Sequence, residues 1–389
     1  MPRQRVRGLL VIVLLGATAA CGAQGDSDLV QPLDTATLDT TAMFTAVPTK
    51  PSLPRRFSLL AAGDVLSHTS VIQQASDDAG GAGYDFAPMF EVVRPIIEGV
   101  DVAICHLETP VAPPGTEPDG VYPTYGVPAE MVVGLRTAGF DRCSLASNHT
   151  MDKGAAGIDA TLAAFDAAGL GHAGMARAPA EAAPATFDVN GVRVAHISAT
   201  QDYNGLPIPN GEAWRSNLID PARIIAEAQQ TRAVGAEVVI VSLHWGAEGV
   251  SDVTAAQRAV ANAVTASGAV DLIVGHHAHV VQPIEQINGR WVVFGMGNML
   301  SGMGDSTDCC GPRALDGMMV RVDIAEQPDG TFVVEQPQVN PIYLARMPYR
   351  ILSVSAALAD PTAAWGSPAA LLASLERTNA VVGAYVALG

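Results

Sequence analysis

Three histidines fall within four residues at Gly275-His276-His277-Ala278-His279, directly after the apolar run 270–274. Neutral imidazole is a common metal ligand, and a His-x-His pair at a strand tip can aim two rings at one point. A helix would turn residues two apart onto different faces. The same pairing of an apolar run with a polar tip recurs along the chain. Asp64 and His68 follow residues 57–62, His106 and Glu108 follow 101–105, and Asn148, His149 and Asp152 follow 140–146. His244 and Glu248 follow 236–243, and Asn298 follows 291–294. Taken singly, each has a bland explanation: Asp64 reads as the cap of the next helix, and the histidines as a polar loop. Together they are harder to dismiss, because seven of the nine histidines stand at such tips and only His172 and His196 fall outside. Nitrogen and oxygen ligands without thiolates suit Zn, Mn or Fe in a reactive site better than structural zinc. Two divalent cations bridged by a carboxylate would bind a phosphate or carboxylate oxygen and acidify water. At the 148–152 tip, the Asn148 amide oxygen can ligate, the His149 imidazole can carry a proton, and Asp152 can hold that ring in one tautomer.

The elements that must position these groups alternate. Strands at 57–62, 101–105, 140–146, 236–243 and 270–274 are apolar and rich in β-branched residues, and helical spacing of apolar residues predicts helices over 84–99, 129–138, 155–168, 219–234 and 252–267. Repeated strand–helix units predict parallel strands, whose C-terminal ends share one edge, so the chain reads as α/β with its site on that edge. Shorter strands are expected at 185–189 and 192–198, then at 280–287, 291–294, 317–324 and 331–338. Hairpin turns are expected at Asn190-Gly191, Asn288-Gly289 and Asp329-Gly330, and a last helix over 366–386. Six prolines between Pro110 and Pro128 predict a loop beside a strand tip, placed as a flap over substrate.

Residues 1–21 read as an export signal: Arg3, Arg5 and Arg7, an apolar stretch over 9–15, and Thr18-Ala19-Ala20-Cys21. The small residues leading into Cys21 resemble a bacterial lipobox. That implies cleavage before Cys21, lipid on its sulfur, and an extracytoplasmic protein anchored to the membrane. Residues 22–56 read as a flexible tether and 57–389 as the folded body. Outside the cytoplasm disulfides are permitted: Cys105 and Cys143 could pair if their strands are neighbours, and Cys309-Cys310 could form a vicinal bridge. The net charge of −17 over 389 residues argues against nucleic acid as a partner.

The motif order Gly-Asp, Leu-Glu, Asn-His-x-x-Asp-x-Gly, His-Trp-Gly-x-Glu, Gly-His-His-x-His-Val and Gly-Asn, over about 57–345, resembles the CapA-type poly-γ-glutamate capsule-synthesis family. That family is similar in fold to the calcineurin-like metallophosphoesterases. The resemblance implies an αββα sandwich with a two-metal site at the C-terminal strand tips. Carried over, Asp64 would ligate the first metal with His279, Glu108 would bridge, and Asn148, His244 and His277 would hold the second. His149, oriented by Asp152, would donate a proton to a leaving group. The phosphoesterase pattern has a histidine where Leu66 stands, with His68 as a substitute from one turn later. The family's Asn before Leu-Glu is His106 here, which could add a ligand or a hydrogen bond. Glu248, His276 and Asn298 are further candidates. The implied partners are an anionic envelope polymer such as poly-γ-glutamate, or a phosphoester, and other capsule-synthesis proteins. Two further readings are a broad-range extracellular phosphoesterase and a non-catalytic, metal-dependent polymer-binding protein.

Overall fold

The computed structural model describes residues 53–304, 309–360 and 365–386. The export signal, Cys21 and most of the expected tether lie outside the described residues. Its last residues belong to the body instead: Arg56 opens the first strand, and the Arg55 guanidinium donates to Glu237 at 2.7 Å and to Glu326 at 2.6 Å.

In chain order the strands are β1 (Arg56–Leu66), β2 (Val102–Leu107), β3 (Arg142–Ser144), β4 (Gly171–Ala173), β5 (Ala185–Val189), β6 (Val192–Thr200), β7 (Val238–His244) and β8 (Leu272–His276). Then follow β9 (Ile284–Ile287), β10 (Arg290–Val293), β11 (Asn298–Ser301), β12 (Asp316–Glu326), β13 (Phe332–Val334), β14 (Gln338–Ala345) and β15 (Arg350–Ser353). The helices are α1 (Thr69–Asp78), α2 (Ala87–Phe90), α3 (Arg94–Ile97), α4 (Glu130–Thr137), α5 (Gly154–Ala168), α6 (Pro221–Ala233), α7 (Ala255–Ala266), α8 (Val354–Ala359) and α9 (Pro368–Val382). One sheet runs β15-β14-β12-β1-β2-β3-β4, with β11 added beside β1 and β13 beside β12; the other runs β5-β6-β7-β8-β10-β9. β1 to β4 are mutually parallel, as are β6, β7 and β8.

The period-two alternation of strand side chains builds the layers. From β1, Phe57, Leu59 and Ala61 point into a core shared with Val194 of β6, Val238 and Ile240 of β7, and Leu272 and Val274 of β8. Leu60 and Ala62 point the other way, into a second core with Phe90, Met131, Leu135, Ile158 and Leu162 of α2, α4 and α5. The outer face of the second sheet, Ile197, Val239, Val241 and Ile273, packs on Ile224 and Ala228 of α6 and Ala261 and Val264 of α7. Helices, sheet, sheet, helices: this is the expected αββα sandwich. Continuing the same alternation toward the C-terminal strand ends turns Ser144, His196, Ser198, Ser242, His244, His106 and His276 inward. The space between the sheets therefore grades from apolar to polar along the strands.

Several expected elements differ. The helix over 84–99 is two short helices, α2 and α3, because Pro88 and Pro95 sit in their first turns and cannot donate to a preceding turn. The strand over 140–146 shortens to β3, and that over 331–338 ends at Val334. Cys105 and Cys143 stand opposite each other on β2 and β3 and are bonded, and Cys309 is bonded to Cys310.

Gly275 of β8 has no room for a side chain, because Trp245 and Phe294 of the outer core close over it. A Cβ there would lie 1.9 Å from the Phe294 carbonyl oxygen, which already accepts from Trp245 Nε1 at 2.9 Å. Gly275→Ala is expected to lower stability by about 3 kcal/mol, at the upper end for overpacking. An unchanged urea midpoint would refute that reading.

Candidate metal centre

Every inward-facing group of the centre is buried. Glu108 follows β2 directly, and both its carboxylate oxygens are buried without a hydrogen-bond partner. Around Glu108 Oε1 stand His244 Nε2 at 3.7 Å, His279 Nε2 at 3.7 Å and His149 Nε2 at 4.0 Å. His277, whose Nδ1 is also buried and unpartnered, forms with Glu108 and His279 one of three groupings whose ligand atoms lie within 4.8 Å of one another. The others are Asp64 with His106 and His276, and His106 with Glu108 and His244. A buried carboxylate without a donor is costly, and so is an imidazole nitrogen without a partner. A divalent cation satisfies both, so this donor set fits one.

The surrounding rings are held from behind. His276 Nδ1 donates to Asp64 Oδ1 at 2.9 Å, and the His277 backbone N–H donates to Asp64 Oδ2 at 3.0 Å. His279 Nδ1 donates to the Asn298 amide oxygen at 2.9 Å, which leaves Nε2 facing Glu108. His106 lies between Ser144 Oγ at 2.8 Å and His244 Nδ1 at 3.0 Å, and His244 Nε2 is 2.9 Å from Asn148 Oδ1. Ser144 Oγ donates to the Cys105 carbonyl oxygen at 3.4 Å. Donors and acceptors therefore alternate when His106 Nδ1 donates to Ser144 and His244 Nδ1 to His106, which leaves His244 Nε2 beside the Asn148 oxygen free to ligate. His106 also stacks on His276, with centroids 3.9 Å apart. His106 and Asn298 thus sit where second-layer groups orient ligands. His277 and His279 adopt left-handed backbone, with φ of 89° and 55°. Such conformations cost on the order of 1–3 kcal/mol each and cluster at functional sites.

Burial drives Glu108 well above the ordinary carboxylate range. Burial alone would depress His279, but the charges of Glu108 and Asp64 outweigh it and hold His279 at about 10. These two shifts conflict, since the second needs Glu108 ionised. We read the pair as sharing one proton that a bound cation displaces. Burial would also raise Asp64, but bonds from His276 and His279 overcome it and keep it ionised. Burial keeps His106, His196 and His244 neutral and lowers His277 to about 4. Neutral imidazole is the ligating form. Below pH 6.5 the unfolded chain gains protons on these four rings that the folded one refuses, so each removes about 1.4 kcal/mol of stability per pH unit. Glu108 and His279 together hold one proton when folded and one when unfolded over this range, so the pair adds no slope. Chelator-treated protein is therefore expected to lose thermal stability steeply from pH 6.5 to 5; a flat profile would contradict this.

His149 stands at the mouth of the centre. Its Nδ1 donates to Asp152 Oδ2 at 2.8 Å, the contact expected to fix its tautomer, and the same oxygen accepts from the Tyr125 backbone N–H at 2.7 Å. The Tyr125 ring meets His149 edge-on with centroids 4.8 Å apart. Sequence reasoning missed Tyr125: the proline-rich segment carries no periodic signal, and only an aromatic within it pointed there. Asn204, which accepts from Asn148 Nδ2 at 3.4 Å, was also missed. His68 lies one layer out. The Gly302 N–H donates to its Nδ1 at 3.1 Å, and its Nε2 is 3.3 Å from the Tyr125 hydroxyl. Leu66, in place of the histidine of the phosphoesterase pattern, is packed among Tyr125, Ala278 and Val280. Glu248 is exposed beside the centre, and its charge contributes to the rise of Glu108.

A family model described as bacterial capsule synthesis protein PGA_cap matches residues 58–303. The chain belongs to that family. The match takes in every candidate from Asp64 to Asn298. The capsule biosynthesis protein CapA of Bacillus anthracis is 30% identical over 215 residues, covering 54% of this chain and 50% of that protein. The PGA biosynthesis protein CapA of Bacillus subtilis (strain 168) is 30% identical over 254 residues, 63% of each. A probable polyglutamine synthesis accessory protein of Mycobacterium tuberculosis is 27% identical over 221 residues, covering 51% of this chain and 55% of that protein. The chain therefore spans between half and two thirds of the length of these PGA_cap relatives. Among solved structures, the calcineurin-like phosphoesterase YfkN of Bacillus subtilis superposes with a TM-score of 0.43 at 15% identity, covering 84% of this chain and 98% of that one.

Proposed function

We propose that this PGA_cap protein is a metal-dependent hydrolase or transferase acting on poly-γ-glutamate or a related anionic envelope polymer, at an amide or phosphoester bond. In this reading it works outside the cytoplasm, tethered through lipid on Cys21. The observation that carries the reading is the Glu108 carboxylate, buried without a donor and ringed by imidazole nitrogens. Asp64, Glu108 and His279 would hold one divalent cation, and Glu108, Asn148, His244 and His277 a second. Bound cations would draw charge from a phosphoryl or acyl oxygen and acidify water. The remaining work falls to the chain itself. His149, with Nδ1 committed to Asp152, presents Nε2 toward Glu108 and can pass a proton to a departing nitrogen or oxygen. Tyr125 packs on that ring and screens one side from water.

Elemental analysis of the full-length protein is expected to find about two equivalents of Zn, Mn or Fe, lost in His244→Ala and His279→Ala. γ-Glutamyl polymers and simple phosphoesters should then be screened for cleavage. Two equivalents with fast phosphomonoester turnover would favour a general phosphoesterase. One observation favours a non-catalytic alternative: Leu66 closes part of the first-metal side with packed apolar surface. One equivalent, with metal-dependent polymer binding and no product, would establish that reading instead.

A further inference from the structure

Arg142 on β3 is a buried cation without an acid. It is only 4% exposed, and the neighbouring Asp141 carboxylate lies against Arg136 instead, at 3.8 Å. Its Nε donates to His196 Nδ1 at 3.1 Å, one Nη donates to the His172 carbonyl oxygen at 3.3 Å, and the Phe187 ring lies 4.0 Å from its central carbon. Burial pushes even this strong base down to about 9, the neighbouring charge of Asp141 opposing. In a chain of net charge −17 an acidic partner would be easy to supply, and a buried unpaired charge is among the most expensive features a fold can keep. The compensation has to come from elsewhere.

A cavity of about 230 Å³ opens next to it, where β4, the edge of one sheet, meets β6, the second strand of the other. Its wall includes His172 and His196, the two residues the guanidinium touches, and Trp214. It also includes three charged groups, each already paired: Arg177 with Glu181 at 2.9 Å and Asp166 at 2.6 Å, and Glu227 with Arg223 at 2.8 Å. Arg142 therefore sets the sign of the cavity. Much of the remaining wall is alanine and proline, with the N–H-bearing rings of His172 and Trp214 set into it. One cation left unpaired by any acid, with Ser198, Ser216 and Asn217 as further polar groups in the wall, suits a single negative charge on a small body better than a dianion, which needs a second unpaired cation.

We propose that this cavity is a second ligand site, separate from the metal centre, for a small monocarboxylate such as the carboxyl end of a short acylated peptide. Arg142 supplies the counter-charge from behind the wall, and His172 and Trp214 line the ligand. The idea does not depend on the metal chemistry, so the test removes it. Full-length protein is treated with chelator and titrated calorimetrically with N-acetyl-L-alanine, then with inorganic phosphate. The expected result is saturable one-site binding of the carboxylate, tighter than phosphate, weakened at least tenfold in Arg142→Met and in His172→Phe. Absence of saturable carboxylate binding, tighter binding of phosphate, or full binding by Arg142→Met would overturn the proposal. Should Arg142→Met not fold, His172→Phe and Trp214→Ala on the cavity wall decide, and unchanged binding in both would overturn it equally.

Discussion

Glu108→Gln is expected to leave the protein folded and strip it of metal. The substitution keeps the volume and removes a charge that the metal-free fold has no donor to balance. Without cation, the variant should therefore be at least as stable as the parent, because a buried unpaired carboxylate costs several kcal/mol or must take up a proton. Affinity for the cations should fall by more than about 100-fold, since groups that merely orient ligands already account for about 10–100-fold. The two readouts move in opposite directions only for a ligand. A carboxylate kept for structure would lose stability on substitution and leave metal content alone, so a lower melting temperature in chelator with normal metal content would end the assignment.

His149→Ala is expected to lower turnover by about 10²–10⁴-fold, the usual contribution of a positioned acid or base. Metal content should not change, because His149 is not among the proposed ligands and its Nε2 stands 4.0 Å from Glu108 Oε1. Asp152→Asn offers a second view of the same pair. It would leave the ring in place but replace an acceptor that now holds both His149 Nδ1–H and the Tyr125 N–H. Its turnover should fall less than that of His149→Ala, and its pH–rate profile should shift. The comparison uses whichever polymer or ester the parent protein cleaves. If His149→Ala keeps full activity on every such substrate, the proton-donor role is wrong.

The centre was legible in the sequence because its design is one-dimensional. Residues 270–274 read as a buried strand, observed as Leu272–His276, and its continuation into His277 and His279 puts side chains at its tip. The four layers were not legible this way: the strands are buried on both faces, so their apolar runs predicted parallel α/β order, and the second sheet was implied only by the resemblance to the capsule-synthesis family. What stayed hidden depends on contacts between distant segments. β4, of three residues, and β15, of four, have too little pattern to stand out, and β14 contains Pro341, which weakens its reading as a strand. Tyr125 reaches His149 only because the proline-rich segment folds back through the pairings Val111 with Val127 and Asp119 with Gly126. His106 was ambiguous because choosing between ligand and support requires knowing that Ser144 stands behind it.

The centre joins β1 to the loop after β8, so Asp64 and His276 meet across 212 residues of chain. Such long-range pairings form slowly, since loop closure must precede the contacts that reward it. No growing or partly threaded chain can assemble this ligand set until its eighth strand has emerged and docked. In the proposed reading, a cation can therefore enter the complete ligand set only after the eighth strand has docked, so metal loading follows folding rather than guiding its first steps.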